Sequence, residues 1–480
     1  GEGPINDATE LYFNDVDQTP YLNSVADLTG NNAAFVNSGP YGLYASAVVG
    51  LNGGAGVTRS SFNIVGKTSW TSDCKMTGNA WLGYQLRHNN EVWTNGIPQV
   101  RVKVEGRKLY DPRKDSTSSA YDSSLGTTTH RVDDETTWEY SNNSALCILD
   151  FLVNAMKVDI EDIDVASIAT ATEICDEDVT INDANGQSTT QKRYTTNGVA
   201  FLDEEVIATV EQLLAPCHGS LVEEGGILRL IVPKDASTVT ANITEDDIIS
   251  ELTINVNSEV SNRINKVGGT FIDSANQFQQ MDFSPVSSSS LITSDGREHL
   301  QQIDLSFVTD EARAQRIASI VLKENALTNS LNLTLKPKFS YLKVGDIVTV
   351  TFEPEKLADV GTDSILTTAT KWRVASYTLT PEGAVSLALD EYADSSYAWS
   401  TADHDYLTRS AVADNFYETG SRPTIGTVSK ANHLDENGSQ VLGIDVPITH
   451  SDHPNLMQST VFLHRYGYNS TNSTDFEISE

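Results

Sequence analysis

The sequence predicts a mixed β and α+β chain of several domains, and three features carry that prediction. Residues 1–135 are rich in Gly, Ser, Thr and Asn and hold short β-type runs. From Trp138 the apolar period lengthens to that of helices. Beyond residue 236 strands return, grouped about one strong helix. The expected order is a β-barrel with loop insertions over 1–135, an α+β lobe over 136–235, a second β-barrel over 236–400, a linker over 401–422 and the start of a β-sandwich over 423–480.

In the first region the strand candidates are ELYFNDV (10–16), TGNAWLGYQLR (77–87) and PQVRVKVEGRKLY (98–110). Asn95-Gly96 is a turn signal between EVW and the VRVKV run. Segment 111–135 is polar and charged, which predicts a long, exposed and mobile loop. In the lobe, Asn143 or Ser144 caps a helix through ALCILDFLVNAM. Asp164 caps a second, with Val165, Ile168, Thr172 and Cys175 along one side. Between them and the third helix, the polar stretch 180–193 contains the surface turn 183–186. Asp203 opens the third helix, Val206, Val210, Leu213 and Leu214 form its stripe, and Pro216 ends it. SLVEE and ILRLIVP then flank Gly225-Gly226 as a hairpin.

The stretch His299–Phe352 is the most legible of all. Ile303, Leu305 and Phe307 alternate as a strand, and Thr309 is placed to cap a helix. Ala314, Ile317, Ala318, Val321 and Leu322 form its apolar stripe, with Arg313, Arg316, Lys323 and Glu324 off the stripe and facing water. Leu331, Leu333 and Leu335 alternate again, and IVTVTF is β-branched. The helix is expected to plug or flank a small barrel made of these strands. Asp295-Gly296 and Pro381-Glu382-Gly383 are expected as hairpin turns, and 284–290 as a flexible Ser-rich loop. A new β pattern starts at Arg422-Pro423 (TIGTVSKA, VLGIDVPITH, STVFLHRYGY).

Chemistry-bearing motifs are scarce. Acidic residues number 66 and basic ones 32, a formal charge of −34, which argues against gripping nucleic acid but suits a non-adhesive wall beside it. Cys74, Cys147, Cys175 and Cys217 are scattered and read as buried free thiols. The nine histidines show no zinc spacing; His450 and His453 lie three apart, in a loop. DANG (183–186) and DENG (435–438) lack the twelfth-position glutamate of a calcium loop and read as turns. Cys217-His218 are neighbours whose side chains are expected to diverge. The carboxylate runs 133–135, 176–178 and 245–247 read as solvated faces and helix starts rather than an acid/base pair. No catalytic, cofactor-binding or metal-ligating residue is assigned. No stretch resembles a signal peptide or is apolar enough to span a bilayer. A chain that opens on Gly1 and stops mid-pattern at Glu480 reads as a piece of something longer.

Several blocks carry a resemblance, in order: GEGPI (1–5), RKLYDPR (107–113), WEYSNNSALCILDFL (138–152), RYTTNGVAFLDEEVIATVEQLLAPCHGSLVEEGGILRL (193–230), DLSFVTDEARAQRIASIVL (304–322), LKVGDIVTVT (342–351) and KWRVASYTLTPEGAVSLALDEYADSSYAW (371–399). Together they resemble the lambda-like tip attachment (host specificity) protein J and, more broadly, the tail-tip hubs of siphophages and gene transfer agents. The resemblance implies a non-enzymatic virion protein at the tail tip (baseplate hub). There it would form a homotrimer whose six barrels make a pseudo-sixfold ring under the tail tube. It implies contact with distal tail and other tail-tip proteins and with the tape-measure protein. It also implies host attachment through distal, fibronectin type III-bearing regions, and transient passage of DNA without specific binding. Two alternatives stand beside it: a hub of a contractile injection system, and a polysaccharide-degrading extracellular adhesin.

Overall fold

The computed structural model describes residues 4–22, 34–36, 45–50, 78–89, 92–93, 96–126, 129–182, 187–201, 205–235, 238–250, 252–256, 263–351, 370–400, 424–434, 438, 440–445, 447–449, 460–464 and 475–479. Within these the chain is β-rich with few helices, and it divides into two units, 1–105 with 410–480, and 106–409.

In the first unit, β1 (Ile5–Phe13) lies in one sheet, and β2 (Ala45–Gly50) pairs antiparallel with β3 (Trp81–Leu86) in another. β4 (Val100–Leu109) runs beside β1, tied by Lys103–Glu10 at 2.6 Å and Asn6–Glu105 at 2.5 Å. Leu11, Phe13, Val36, Ala45 and Ala47 form the core. Gly96 takes φ +88 and its N–H donates to Trp93 O at 3.1 Å; Glu91 and Asn95 of the turn expected there lie outside the described residues. The strands expected after Pro423 are present; Ser429–Leu434 pairs with Gln440–Asp445, and residues 435–437 of the DENG tetrad lie outside the described residues.

The second unit begins with a correction. Segment 111–135 is not a free loop: Asp111, Arg113, Asp115 and His130 are buried, and three short 3₁₀ turns are capped by Asp111, Asp122 and Asp134. Arg113 bonds Asp111 and Asp176 at 2.8 Å each, and Arg131 bonds Asp115 at 2.7 Å. Sequence polarity hid this because the buried charges neutralise one another locally.

The lobe follows the expected helices. Asn143 caps α1 (Ser144–Asp150), which continues as a π turn to Ala155, and Asp164 caps α2 (Val165–Asp176). Stretch 180–193 is more ordered than its polarity suggested: β5 (Asp178–Asn182) and β6 (Ser188–Lys192) form a hairpin around 183–186. α3 (Val206–Leu214) buries Thr209 and Leu213, while Val206, expected in its stripe, is exposed; Asp203 lies outside the described residues. β7 (Ser220–Glu224) and β8 (Ile227–Ile231) make the expected hairpin, both turn glycines at positive φ.

Two cores organise the remainder. β9 (Val239–Thr244) and β10 (Thr253–Val256) are the edges of a six-stranded sheet completed by four later strands. β11 (Lys266–Asp273) pairs antiparallel with β12 (Gln279–Asp282), and with Val286–Ser287. The Ser-rich stretch is thus structured, and Ser284 N–H donates to Glu311 Oε1 at 3.2 Å. α4 (Ser289–Asp295) ends at Gly296 in the left-handed region, so Asp295-Gly296 closes a helix and not a hairpin. β13 (Leu300–Leu305) runs parallel to β11, and α5 (Glu311–Asn325) packs on β11. β14 (Asn329–Leu335), β15 (Ile347–Thr351), β16 (Lys371–Leu379) and β17 (Val385–Tyr392) complete the larger sheet in the order β9-β15-β16-β17-β14-β10. Pro381–Gly383 turns β16 into β17 as expected, with Gly383 at φ +82. The link 245–252 joins the sheet's two edges and is bonded to the end of β14 by Ile249 N–H to Thr334 O and Lys336 N–H to Asp247 O. The sheet therefore curls into a half-barrel around Leu331, Leu333, Val348, Val350, Trp372 and Leu389.

The helix does not plug that half-barrel. Its Ala314, Ile317, Ala318, Ile320 and Leu322 belong to the other core, with Tyr194, Cys217, Val267, Phe271 and Leu305. Of the strands expected to receive the helix, β13 does lie in this sheet; β11 and the lobe, which the local pattern did not indicate, complete the apolar surface. At the closest approach, Gly269 has φ +157 and a Cβ there would lie 1.8 Å from Ile303 O. Gly269→Ala is expected to cost about 2 kcal/mol or more, read as a lowered denaturation midpoint; an unchanged midpoint would mean that β11 and β13 are not this tightly apposed.

Candidate functional site

The charged positions of α5 define the centre of the second unit. Asp310, not Thr309, is the N-cap, accepting from Arg313 N–H at 3.0 Å. Arg313 and Arg316, expected in water, are 6% and 1% exposed. The β5–β6 hairpin and the segment after β17 cover them, so the helix is buried on both faces. Arg316 donates to Arg193 O at 2.7 Å, and Arg313 to Lys192 O at 3.2 Å. The Gln191 amide, with nitrogen toward Asp310 (3.0 Å), accepts from Arg316 at 3.1 Å. Burial lowers both guanidinium pKa values, Arg316 to about 10. Arg193 is held by Glu177 at 2.7 Å and lies 3.8 Å from Asp235. These cations sit on carbonyls and amides, which fixes chain geometry at high local cost.

At the other end of α5, Glu324 gathers three elements. His218 Nε2 lies 2.6 Å from it, Tyr397 OH donates to it, and Arg373 is 3.4 Å away. Burial alone would raise this carboxyl, but the bond and charge of His218, with Tyr397 and Arg373, bring it down to about 2. The residues after β17 are strapped to the same helix. Tyr397 stacks on Tyr392 at 5.1 Å, Lys371 pairs with Asp394 at 2.6 Å, and Lys323 donates to Ala398 O at 3.2 Å. The Arg316 guanidinium lies 5.0 Å over the Trp399 ring, a contact worth about 1–2 kcal/mol when desolvated. The assembly is a brace that holds residues 392–399 against α5.

The other sequence candidates are placed as structural parts. In the acidic runs, Asp134 caps a turn, and Glu135 faces Arg107 at 3.7 Å. Asp176 bonds Arg113, Glu177 bonds Arg193 and Asp178 bonds Lys192 at 2.9 Å. Asp247 closes a capping box with Thr244 and pairs with Lys338 at 2.6 Å. Cys217 and His218 do diverge: Cys217 Sγ donates to Leu214 O at 3.4 Å, while His218, at φ +49, turns to Glu324. Cys147, Cys175 and Cys217 are free thiols; burial pushes Cys147 up to about 12, and burial with the Cys217 hydrogen bond raises Cys175. Cys74, His450, His453 and 183–186 lie outside the described residues. Among the described residues no group of three or more His, Cys, Asp or Glu is arranged to hold a metal ion. A groove of about 880 Å³ is lined by Tyr110, Asp115, Glu161, Ile163, Glu224 and Ile227 among others, but Asp115 is already bonded to Tyr110 and Arg131.

Residues 205–376, from α3 into β16, match the family model of a putative phage tail protein. The fold is similar to a chain of the virion of a native gene transfer agent particle, with 13% identity, a TM-score of 0.50, and coverage of 83% of this chain and 77% of that one. A 43 kDa tail protein of prophage MuSo2 from Shewanella oneidensis is matched at 13% identity and TM-score 0.29, over 54% of this chain and 66% of that one. Prophage tail protein gp18 from Listeria monocytogenes EGD-e is matched at 15% identity and TM-score 0.23, over 45% and 67%. No curated protein matches the sequence.

Proposed function

We propose that this chain is the hub of a long-tailed phage or gene-transfer-agent tail tip, acting by shape rather than by bond-making. Three copies close into a collar that caps the tail tube. The β domains complete barrels in that ring, and the lobe lies beside it. The collar contacts distal tail proteins and holds the end of the tape-measure protein. It opens when the distal part meets its receptor, and DNA passes through. The observation that carries this reading is the fold likeness to a gene-transfer-agent virion chain over 83% of the sequence, joined to the phage-tail match over 205–376. The net charge of −34 per chain, −102 for three (3 × −34), fits a lumen lined by Asp, Glu, Ser, Thr and Asn that lets DNA slide. Immunogold labelling of intact particles with antibody raised against this chain tests the placement. Label confined to the distal end of the tail is expected; label along the tube, on the capsid, or on no particle would overturn it.

A further inference from the structure

Segment 111–130 folds back on itself, and a buried ring joins its two ends. His130 is 1% exposed. Its Nδ1 accepts the Asp111 backbone N–H at 3.0 Å, and its own backbone N–H donates to Lys114 O at 3.2 Å. A backbone amide can only donate, so Nδ1 is the unprotonated nitrogen and the neutral ring carries its proton on Nε2. A second proton has to go on Nδ1, where it meets the Asp111 N–H head-on. Nε2 has no hydrogen-bond partner among the described residues; Glu139, on the short strand Glu139–Tyr140, stands 3.9 Å from it.

The charged groups around the ring supply no spare counter-ion. Glu139 is taken by Lys114, Asp111 by Arg113 at 2.8 Å and Asp115 by Arg131 at 2.7 Å, while the Tyr110 ring centroid lies 6.4 Å away. Each of these carboxylates has its own cation, and Lys114 opposes an imidazolium directly. Burial first, then Lys114, hold the imidazole below its ordinary value of 6.5. We propose that His130 is a proton-operated clip: the neutral ring pins the two ends of segment 111–130 together, and protonation in mildly acid solution lets the segment go. The opened segment binds the proton that the closed one refuses. The clip is therefore at full strength above about pH 6.5 and weakens as pH falls below it. Release frees Thr117, Ser118 and Ser119, which line part of the 880 Å³ groove, so acid opens that groove from one side. The Glu324 cluster responds at lower pH, and the clip does not depend on the tail reading above.

Amide hydrogen–deuterium exchange of the full chain tests the clip, read by mass spectrometry at pH 7.5 and pH 5.5 and corrected for the intrinsic exchange rate. Peptides within 111–126 should lose protection by about threefold to tenfold on acidification, about tenfold being the ceiling set by an ordinary imidazole in the opened segment. Peptides of the half-barrel, 329–351, should not change. His130→Asn places a carboxamide oxygen where Nδ1 stood and cannot titrate, so protection of its 111–126 segment should be the same at both pH values. A loss below about threefold in the unaltered chain, an equal loss across the half-barrel, or the same loss in the variant overturns the clip. Exchange at the His130 ring Cε1–H follows the titration of that ring in the unaltered chain, with no substitution to disturb folding. A midpoint below 6.5 is expected there, and one at or above 6.5 would also overturn the clip.

Discussion

Trp372→Ala should lower the stability of the isolated chain's second unit by about 3–5 kcal/mol, among the largest effects expected of any single substitution in this chain. Trp372 is fully buried at the centre of the half-barrel, opposite Val348 on β15 and beside Val374, Leu387 and Leu389. Alanine would leave a cavity bounded by strands that cannot collapse without breaking their ladders. The indole N–H has no partner among the described residues, so it contributes nothing that packing must protect. Trp372→Phe removes that donor and keeps most of the contact area, and should cost less than about 1.5 kcal/mol. Urea denaturation of the two variants checks this. A shift below about 1 kcal/mol for the alanine variant would mean that the sheet is not closed around this ring.

The second large effect is a pH dependence set by Glu324. Its carboxyl is held at about 2 in the folded chain against an ordinary value of 4.5. A depressed carboxylate contributes stability that is complete above about pH 4.5 and is lost as pH falls through the folded value. The size is about 3 kcal/mol, lost between about pH 5 and pH 2. Glu324→Gln should flatten this part of the acid-denaturation curve, because the amide cannot gain the proton that breaks the cluster. At neutral pH the same variant should be less stable, since His218 and Arg373 then face a neutral group. Parallel acid-unfolding slopes for the two proteins would remove Glu324 from this role.

Both effects lie in elements that local pattern predicted well, yet in surroundings that it did not. Alternation at Leu331, Leu333 and Leu335 located β14, which buries one face, and the β-branched run from Ile347 located β15, which is buried on both faces. Capping chemistry placed α1 and α2 through Asn143 and Asp164. The partner of α5 was not legible. A stripe shows that a helix buries one face, but not which of two sheets receives it, and the pairing of β11 with β13 is a long-range choice. The brace was hidden for the same reason. Arg313 and Arg316 look like solvent-facing charges in a helix pattern, and only the distant Arg193 carbonyl and Trp399 ring give them a buried place. A usable signal was the short, polar β5–β6 stretch, whose Thr-rich alternation marks a strand pair rather than a loop. Segment 111–135 misled because Asp and Arg residues that pair with each other read as hydrophilic whether or not water reaches them. Val206 fits the apolar stripe of α3 as well as Leu213 does, yet in the fold Val206 is exposed and Leu213 buried.

The claim on which the account depends is that this chain closes with two copies of itself around an opening. Electron microscopy of intact particles viewed along the tail axis tests it most directly. Three copies of this chain in a closed ring at the tail tip, with an acidic and hydroxyl-rich lining to the central opening, is the predicted result. A tip whose density for this chain lacks threefold order, or an opening lined by Arg and Lys, would contradict it.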